Sequence, residues 1–269
     1  MFTPVDTLDE PRLSPYRCMK DRELARDGRR FIAEGEQVVR RLLASGLPVE
    51  SVLIADRKAA AIGPMVPAGV PVWVASDELI ERLIGFEFHS GVLACGIRPR
   101  PPELEEILPP ASQPATLVIC PKITNVENLG SLVRLSAAFG VSGLILGEQC
   151  CDPFFRQSVR VSMGAVFNLP IARRTDLASD LPRLRRDWGF ELVATALAPD
   201  AEPLAAARRR ARLALVFGGE ADGLDGQTLA LCDRRVTIPM RRGVDSLNVA
   251  VAAGIFLYHF IDLCNPGTA

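Results

Sequence analysis

The sequence predicts an α/β protein in which a small domain precedes a larger domain built on a mostly parallel sheet. Short apolar runs alternate with helical patterns along the chain, which is typical of strands covered by helices. A proline-rich segment, residues 99–114, separates two patterned regions and is expected to be a stiff linker. The 269 residues are 48% hydrophobic, which is ample for packed cores.

Residues 1–98 are predicted to form the small α/β domain. Its strands are short apolar runs, and its helices have apolar residues on one face. Strands are expected at residues 30–35, 49–55, 70–75 and 91–97, and helices at residues 36–45 and 76–85. Ser76 is expected to open the second helix, because a serine side chain accepts a hydrogen bond from a first-turn N–H.

Residues 115–269 are predicted to form the larger domain. Strands are expected at residues 115–120, 143–146, 191–197 and 213–219, followed by a short final strand, and helical segments at residues 128–139, 157–170 and 246–263. The last helix is very apolar, but Ser246, Asn248, His259 and Asp262 interrupt a run too short to span a membrane. Ser246 is a candidate N-cap of this helix and Asn248 a first-turn residue.

Composition narrows the class of protein. The formal net charge is −1, so any polyanion must be held by local basic clusters. Candidates are Arg241 and Arg242, and the N-terminal residues Arg12, Arg17, Lys20, Arg22, Arg26, Arg29 and Arg30.

Seven cysteines without a C-x-x-C pair argue against a disulfide framework or a zinc site, and Cys150 and Cys151 are expected to be structural. The N-terminus lacks a signal-peptide pattern, so a cytoplasmic location is expected, without membrane or metal.

Three segments in the larger domain place glycines and polar residues next to predicted strands or helices. They read NVENLGSLVRLSAAFG at 125–140, LVFGGEADGL at 215–224 and IPMRRGVDSLNVAVAAGIFLY at 238–258. In this order they resemble the TrmH/SpoU family of RNA ribose 2′-O-methyltransferases, within the SPOUT class. The resemblance covers residues 114–263 approximately and implies a parallel sheet whose C-terminal part forms a deep trefoil knot.

The resemblance implies an enzyme that transfers a methyl group from S-adenosylmethionine to a ribose 2′-hydroxyl in ribosomal or transfer RNA. The catalytic residues it implies are Asn128, Arg134, Glu220, Ser246 and Asn248. The cofactor-binding residues it implies are Leu197, Gly218, Ile238, Met240 and Leu247. We expect Arg134, held by Asn128 and Glu220, to clamp phosphate and stabilise the developing alkoxide. The proton acceptor stays open between water and Arg134.

Two positions depart from the family pattern. Asn125 and Val126 stand where an acidic residue and a proline are usual, and this change is expected to loosen the first turn of the following helix. Asp245 stands where serine or glutamate is common, which we interpret as tolerated variation.

The N-terminal domain carries a shorter resemblance. Residues 31–35 and 89–91 are similar to the L30e-like substrate-binding domain of SpoU-type enzymes, which implies that this domain presents RNA. Glu34 and His89 lie there without a third catalytic partner, so structural roles are expected. A homodimer through the C-terminal domain is also expected, because the last helix is apolar on too many faces for one core to cover and family members pair there.

Two other functions stay open. The first alternative is a catalytically inactive RNA-binding protein of the same fold, which the complete set of catalytic residues disfavours. The second alternative is a small-molecule nucleotide-binding enzyme, which the glycine-rich turn at 218–223 suggests. That turn does not match the G-x-G-x-x-G phosphate fingerprint, and a simple tight turn also explains it.

Overall fold

The computed structural model describes residues 2–17, 28–219 and 222–264. The strands are β1 (Phe2–Pro4), β2 (Arg30–Glu34), β3 (Val49–Ala55), β4 (Val72–Ala75), β5 (Val92–Ile97), β6 (Ala115–Cys120), β7 (Gly143–Gly147), β8 (Ile171–Arg174), β9 (Glu191–Thr195), β10 (Glu202–Pro203), β11 (Arg212–Phe217) and β12 (Arg234–Thr237). The helices are α1 (Ser14–Arg17), α2 (Glu36–Ala44), α3 (Ala59–Ile62), α4 (Asp77–Ile84), α5 (Val126–Ala138), α6 (Arg156–Val161), α7 (Leu177–Trp188), α8 (Gly226–Leu231) and α9 (Val249–Leu257). A π-helix (Tyr258–Leu263) continues α9.

The chain divides into two compact units. Unit 1 comprises Met1–Arg100 and Asp152–Asn168, and unit 2 comprises Pro101–Cys151 and Leu169–Ala269. The chain therefore enters unit 1 a second time, after β7, before it returns to unit 2 at β8.

Unit 1 contains a five-stranded mixed sheet with the order β1-β4-β3-β5-β2. The four strands and two helices predicted before residue 99 are confirmed, each within two residues of its predicted bounds. Ser76 opens α4 as expected, since its hydroxyl accepts a hydrogen bond from the Leu79 N–H at 3.2 Å. The short elements β1, α1 and α3 were not predicted. Lys20, Arg22 and Arg26 of the N-terminal basic cluster lie outside the described residues.

The segment Asp152–Asn168 packs against β2 in unit 1. Phe154 and Phe167 lie against Phe31, with ring centroids 5.0 and 5.6 Å apart. Arg156 donates to the carboxylate of Glu34, a residue only 7% exposed at the end of β2. Ion pairing of this kind satisfies a buried carboxylate, which agrees with the structural role expected for Glu34.

Unit 2 contains a seven-stranded sheet with the order β10-β12-β9-β11-β6-β7-β8. Every adjacent pair is parallel, so the predicted parallel sheet is confirmed. The central strands β6 and β11 are buried at every residue, because helices cover both faces of such a sheet. Strands β8 and β10 and helices α7 and α8 were not predicted. Within the described ranges, none of the helices combines the length and apolar character that crossing a bilayer requires.

Among the described residues, the cysteines form no disulfide bond. Cys150 is buried, and its thiol donates to the Cys120 carbonyl at 3.0 Å. This contact joins the ends of two adjacent strands and matches the structural role predicted for Cys150. The described residues contain no group of His, Cys, Asp and Glu that is arranged to hold a metal ion.

Arg212, only 6% exposed at the start of β11, anchors the proline-rich segment to unit 2. Its guanidinium donates to the carbonyls of Pro109, Pro110 and Gln113 at 3.1, 2.8 and 2.7 Å. The same group lies 4.3 Å from the ring centroid of Phe190. One side chain therefore holds three carbonyls of a segment that has little regular structure of its own.

We predict that Arg212→Met lowers the free energy of unfolding by about 2–3 kcal/mol, because charge-assisted hydrogen bonds are lost from a buried site. Urea denaturation of the full chain measures this change. The matched control is Arg210→Met, two residues earlier. Arg210 pairs with Glu191 but is 77% exposed, so its loss is expected to stay below about 1 kcal/mol. Equal effects from the two substitutions would contradict the anchoring role.

Candidate functional site

A cavity of about 810 Å³ lies at the carboxyl edge of the unit 2 sheet. Thr195, Phe217 and Thr237 line it, and each is the last residue of a strand, β9, β11 and β12 respectively. Carboxyl ends of parallel strands meet at one edge, which is where ligands bind in open α/β sheets. The volume also falls within the range of about 300–1,000 Å³ that is usual for small-molecule sites.

The structure brings together eight of the ten site residues expected from the sequence. Those that line the cavity are Asn128, Leu197, Gly218, Ile238, Met240, Ser246, Leu247 and Asn248. Arg134 does not line the cavity in this chain and is exposed on α5. Glu220 lies outside the described residues.

Helix α5 begins at the cavity with a side-chain cap. The Asn125 carboxamide oxygen accepts hydrogen bonds from the N–H groups of Glu127 and Asn128 at 2.8 and 3.0 Å. The expectation that Asn125 and Val126 loosen this turn is wrong, because asparagine caps a helix about as well as aspartate does. Asn125 thereby fixes the backbone of Asn128 at the cavity wall.

The N-cap of helix α9 is Asn248, two residues later than the expected cap, Ser246. The Asn248 carboxamide oxygen accepts hydrogen bonds from the N–H groups of Ala250 and Val251 at 2.9 and 3.4 Å. Ser246 is therefore not the N-cap, and Asn248 is not an ordinary first-turn residue. The Asn248 amide nitrogen also donates to the Asn128 carboxamide oxygen at 2.8 Å. One side chain thus caps α9 and joins it to the first turn of α5.

The turn after β11 is closed by glycine. Gly219 and Gly223 exchange backbone hydrogen bonds at 3.0 and 3.2 Å, so the chain folds back on itself. A Cβ atom at Gly218 would lie 2.3 Å from the Gly223 carbonyl carbon and 2.6 Å from the Leu224 nitrogen. Only glycine fits there, because both neighbours are backbone atoms of the same turn. The tight-turn interpretation of this segment is confirmed.

Sequence reasoning missed two features of the cavity. Thr195 ends β9, and its hydroxyl donates to the Val216 carbonyl at 3.1 Å. Lys122 follows β6, and its ammonium pairs at 2.9 Å with Asp222, which lines the cavity. Both residues follow or end a central parallel strand, and that position is the signal that would have found them.

Arg134 lies on a face of α5 shared with Ala137 and Ala138, both of which are exposed. It makes no hydrogen bond or ion pair with the residues that the structure describes. Helix α9 packs against α5, and a Cβ atom at Gly254 would lie 3.6 Å from the Leu135 side chain. The outer face of α9 carries an apolar stripe formed by Val251, Ile255 and Tyr258, which are 54%, 40% and 51% exposed.

Comparison with known proteins connects these segments. The model of the SpoU rRNA Methylase family matches residues 115–258. The chain is 37% identical over 259 residues to an uncharacterized tRNA/rRNA methyltransferase of Mycobacterium tuberculosis, covering 93% of this chain and 88% of that protein. It is 33% identical over 196 residues to a 23S rRNA (guanosine-2′-O-)-methyltransferase of Acinetobacter baylyi, covering 71% and 78%. An AdoMet-bound rRNA methyltransferase from Sinorhizobium meliloti superposes with a TM-score of 0.85 at 26% identity, covering 100% and 99%.

The capping role of Asn248 leads to a prediction about stability. Asn248→Ala is expected to lower the free energy of unfolding by about 1 kcal/mol, because two first-turn N–H groups lose their acceptor. Asn248→Asp keeps the capping oxygen but loses the N–H that donates to Asn128, so its loss is expected to lie between zero and that of Asn248→Ala. Ser246→Ala is the control, with a change below about 0.5 kcal/mol, because Ser246 is exposed. Urea denaturation distinguishes them, and a larger loss for Ser246→Ala than for Asn248→Ala would contradict this cap.

Proposed function

The chain belongs to the SpoU rRNA Methylase family, and we propose that it methylates the ribose 2′-hydroxyl of a nucleotide in ribosomal RNA with S-adenosylmethionine as donor. One observation carries the proposal: segments distant in sequence meet at one cavity, where Asn128 and Asn248 are hydrogen-bonded. The relative from Acinetobacter baylyi carries the name of a 23S rRNA (guanosine-2′-O-)-methyltransferase. Ribosomal RNA is therefore the substrate class that the comparisons favour.

The cavity fits S-adenosylmethionine in size and character. Leu197, Ile238, Met240 and Leu247 supply apolar walls for adenine and the methionine chain. Leu197 and Leu247 are 57% and 37% exposed, so a bound ligand would cover apolar surface that water now contacts. When bound, the sulfonium supplies a methyl group that is already activated for displacement. The protein's tasks are then to position the ribose and to support loss of its proton.

Arg134 is the residue we assign to the reacting oxygen. A guanidinium binds phosphate in a bidentate manner and stabilises the charge that develops on the ribose oxygen. Asn128 bonds to Asn248 in this structure, so Glu220 is the residue we assign to holding Arg134, while Ser246 and Asn248 would orient the ribose. The proton passes to water in this scheme, because a charged guanidinium has no site left to accept it.

Further assignments follow from family membership. We propose that the C-terminal unit contains the deep trefoil knot of the SPOUT class and that the chain works in the cytoplasm.

We also propose that the N-terminal domain, residues 1–98, is L30e-like and presents RNA across the linker at residues 99–114. The mixed sheet of unit 1 supports the L30e-like assignment, since β2 lies in that sheet and residues 89–91 lead directly into its strand β5.

A homodimer through unit 2 is the assembly we propose. The apolar stripe on α9, formed by Val251, Ile255 and Tyr258, supports it, because exposed apolar surface of this kind marks contact sites. Arg134 is exposed on α5, which packs against α9. A second copy on this face would bring Arg134 close to the partner's surface and shield it from water.

A catalytically inactive RNA-binding protein is the alternative. Both functions require RNA binding, but only the enzyme requires the donor. Transfer of radiolabelled methyl from S-adenosylmethionine to an unmodified 23S rRNA transcript tests the proposal, with nuclease digestion to identify a 2′-O-methylated nucleoside. Isothermal titration calorimetry with S-adenosylmethionine provides the second readout. RNA binding with neither methyl transfer nor cofactor binding would establish the alternative.

Arg134→Ala is expected to lower the methylation rate by two to four powers of ten, about the loss typical of a positioning and charge-stabilising group. Its affinity for S-adenosylmethionine should stay within about twofold, since Arg134 does not line the cavity. Gly218→Val should weaken cofactor binding first, because the added side chain meets the backbone of its own turn. Single-turnover kinetics with saturating RNA and calorimetry separate the two effects. Retention of more than a tenth of wild-type turnover by Arg134→Ala would remove the catalytic assignment.

Ile255→Glu is expected to convert the dimer to a monomer at micromolar concentration, because a carboxylate would be buried in an apolar contact. The methylation rate should fall when the dimer is lost. Met65→Glu is the matched control, since Met65 is 39% exposed and Ile255 is 40% exposed, and Met65 lies in unit 1. Light scattering measures the mass of both variants and of the wild type. A wild-type monomer at that concentration would refute the dimer.

A further inference from the structure

Residues 241–244 form a tight turn between two parts of the cavity wall. The Val244 N–H donates to the Arg241 carbonyl at 3.3 Å. The two central residues, Arg242 and Gly243, have φ angles of 59° and 71°, so both adopt the left-handed conformation found in type I′ turns. Glycine suits that conformation, but a residue with a Cβ atom is strained in it. Asparagine and aspartate tolerate it better than arginine does.

The fold accounts for the other strained residue but not for Arg242. Among the described residues, Met163 is the second non-glycine with positive φ, at 53°. Met163 lies two residues after the end of α6, and its carbonyl accepts a hydrogen bond from Arg41 at 2.6 Å. The Arg242 side chain, by contrast, is exposed and makes no hydrogen bond or ion pair to any part of the chain that is described. Strain that no internal contact offsets points to a role in binding.

The position of the turn indicates what Arg242 binds. Met240 lines the cavity before the turn, and Asp245 and Ser246 line it after the turn, whereas residues 241–244 do not. The turn therefore stands at the rim, outside the volume assigned to the cofactor. An RNA that placed a ribose in the cavity would have its flanking phosphates at this rim. A guanidinium matches a phosphate with two parallel N–H···O bonds.

We propose that Arg242 is a positioning residue that grips a backbone phosphate of the RNA next to the target ribose. The left-handed turn serves to hold its guanidinium at the cavity rim. The inference rests on the proposed function, since it requires an RNA substrate. It concerns binding of the RNA backbone and involves no step of the methyl transfer itself.

Three variants test the proposal. Arg242→Asn removes the charge and keeps a residue that tolerates positive φ, so folding is preserved. Arg242→Lys keeps the charge but loses the bidentate geometry. Arg210→Gln is the control, because it removes one charge from an exposed arginine that pairs with Glu191 and does not line the cavity. Equilibrium binding of an unmodified 23S rRNA transcript is measured for each variant across a range of salt concentrations, together with thermal unfolding.

Arg242→Asn is expected to raise the Kd for the transcript about tenfold, the size of one charge-assisted contact. The slope of log K against log salt should fall by about 0.7 to 0.9, which corresponds to one phosphate contact. Its melting temperature should equal or exceed that of the wild type, because strain is relieved. Arg242→Lys should give an intermediate Kd, and Arg210→Gln a loss below about threefold. An unchanged salt slope for Arg242→Asn, or equal losses for Arg242→Asn and Arg210→Gln, would overturn the proposal.

These readouts separate this inference from the proposed function. Binding and its salt dependence do not require catalysis, so a wild type that binds the transcript without methylating it defeats the enzyme assignment and leaves the Arg242 test intact. A wild type that methylates, with Arg242→Asn behaving like the wild type at all salt concentrations, defeats only the inference about Arg242.

Discussion

The site depends on one carboxamide, that of Asn248, which satisfies two structural requirements at once. Its oxygen caps α9, and its nitrogen donates to Asn128 in the first turn of α5. A helix N-terminus leaves N–H groups without partners, and here two such ends lie side by side at the carboxyl edge of the sheet. Parallel strands bring all their carboxyl ends to that edge. The hydrogen bond then fixes the two helix ends against each other, and the cavity lies between them and the turn after β11.

Small residues let these parts approach closely enough to share one edge. Gly218 accommodates the backbone of its own turn. At the end of β7, a Cβ atom at Gly147 would lie 2.3 Å from the Pro121 carbonyl oxygen. Interiors packed at crystal-like density do not absorb an added methyl group without movement. The glycines near the cavity are therefore constraints on packing as well as on backbone conformation.

Local patterns predicted the strands well, because an apolar run bounded by turn residues has few alternatives. Strands β3 (Val49–Ala55) and β6 (Ala115–Cys120) have the predicted bounds.

Helix α7 was missed, since it contains Pro182 and five charged residues and presents few apolar positions. Asp180 of this helix is buried and pairs at 2.7 Å with Arg174 of the preceding strand, a contact that helical periodicity does not show. The membership of residues 152–168 in unit 1 rests on contacts such as Arg156 with Glu34, which are remote in sequence. For the site, the family resemblance implied which residues meet, and their roles stay predictions.

The arginines show how a chain with a net charge of −1 can still present positive charge to RNA. Many of its guanidiniums are neutralised by carboxylates, as Arg174, Arg183 and Arg234 are, and such pairs present little net field beyond about 10 Å. Arg134, Arg241 and Arg242 make no such pair with the described residues. Two of these three, Arg241 and Arg242, lie in the turn between Met240 and Asp245, which both line the cavity. An RNA backbone is thus attracted locally, over roughly the Debye length, where the turn at 241–244 and the start of α9 meet it.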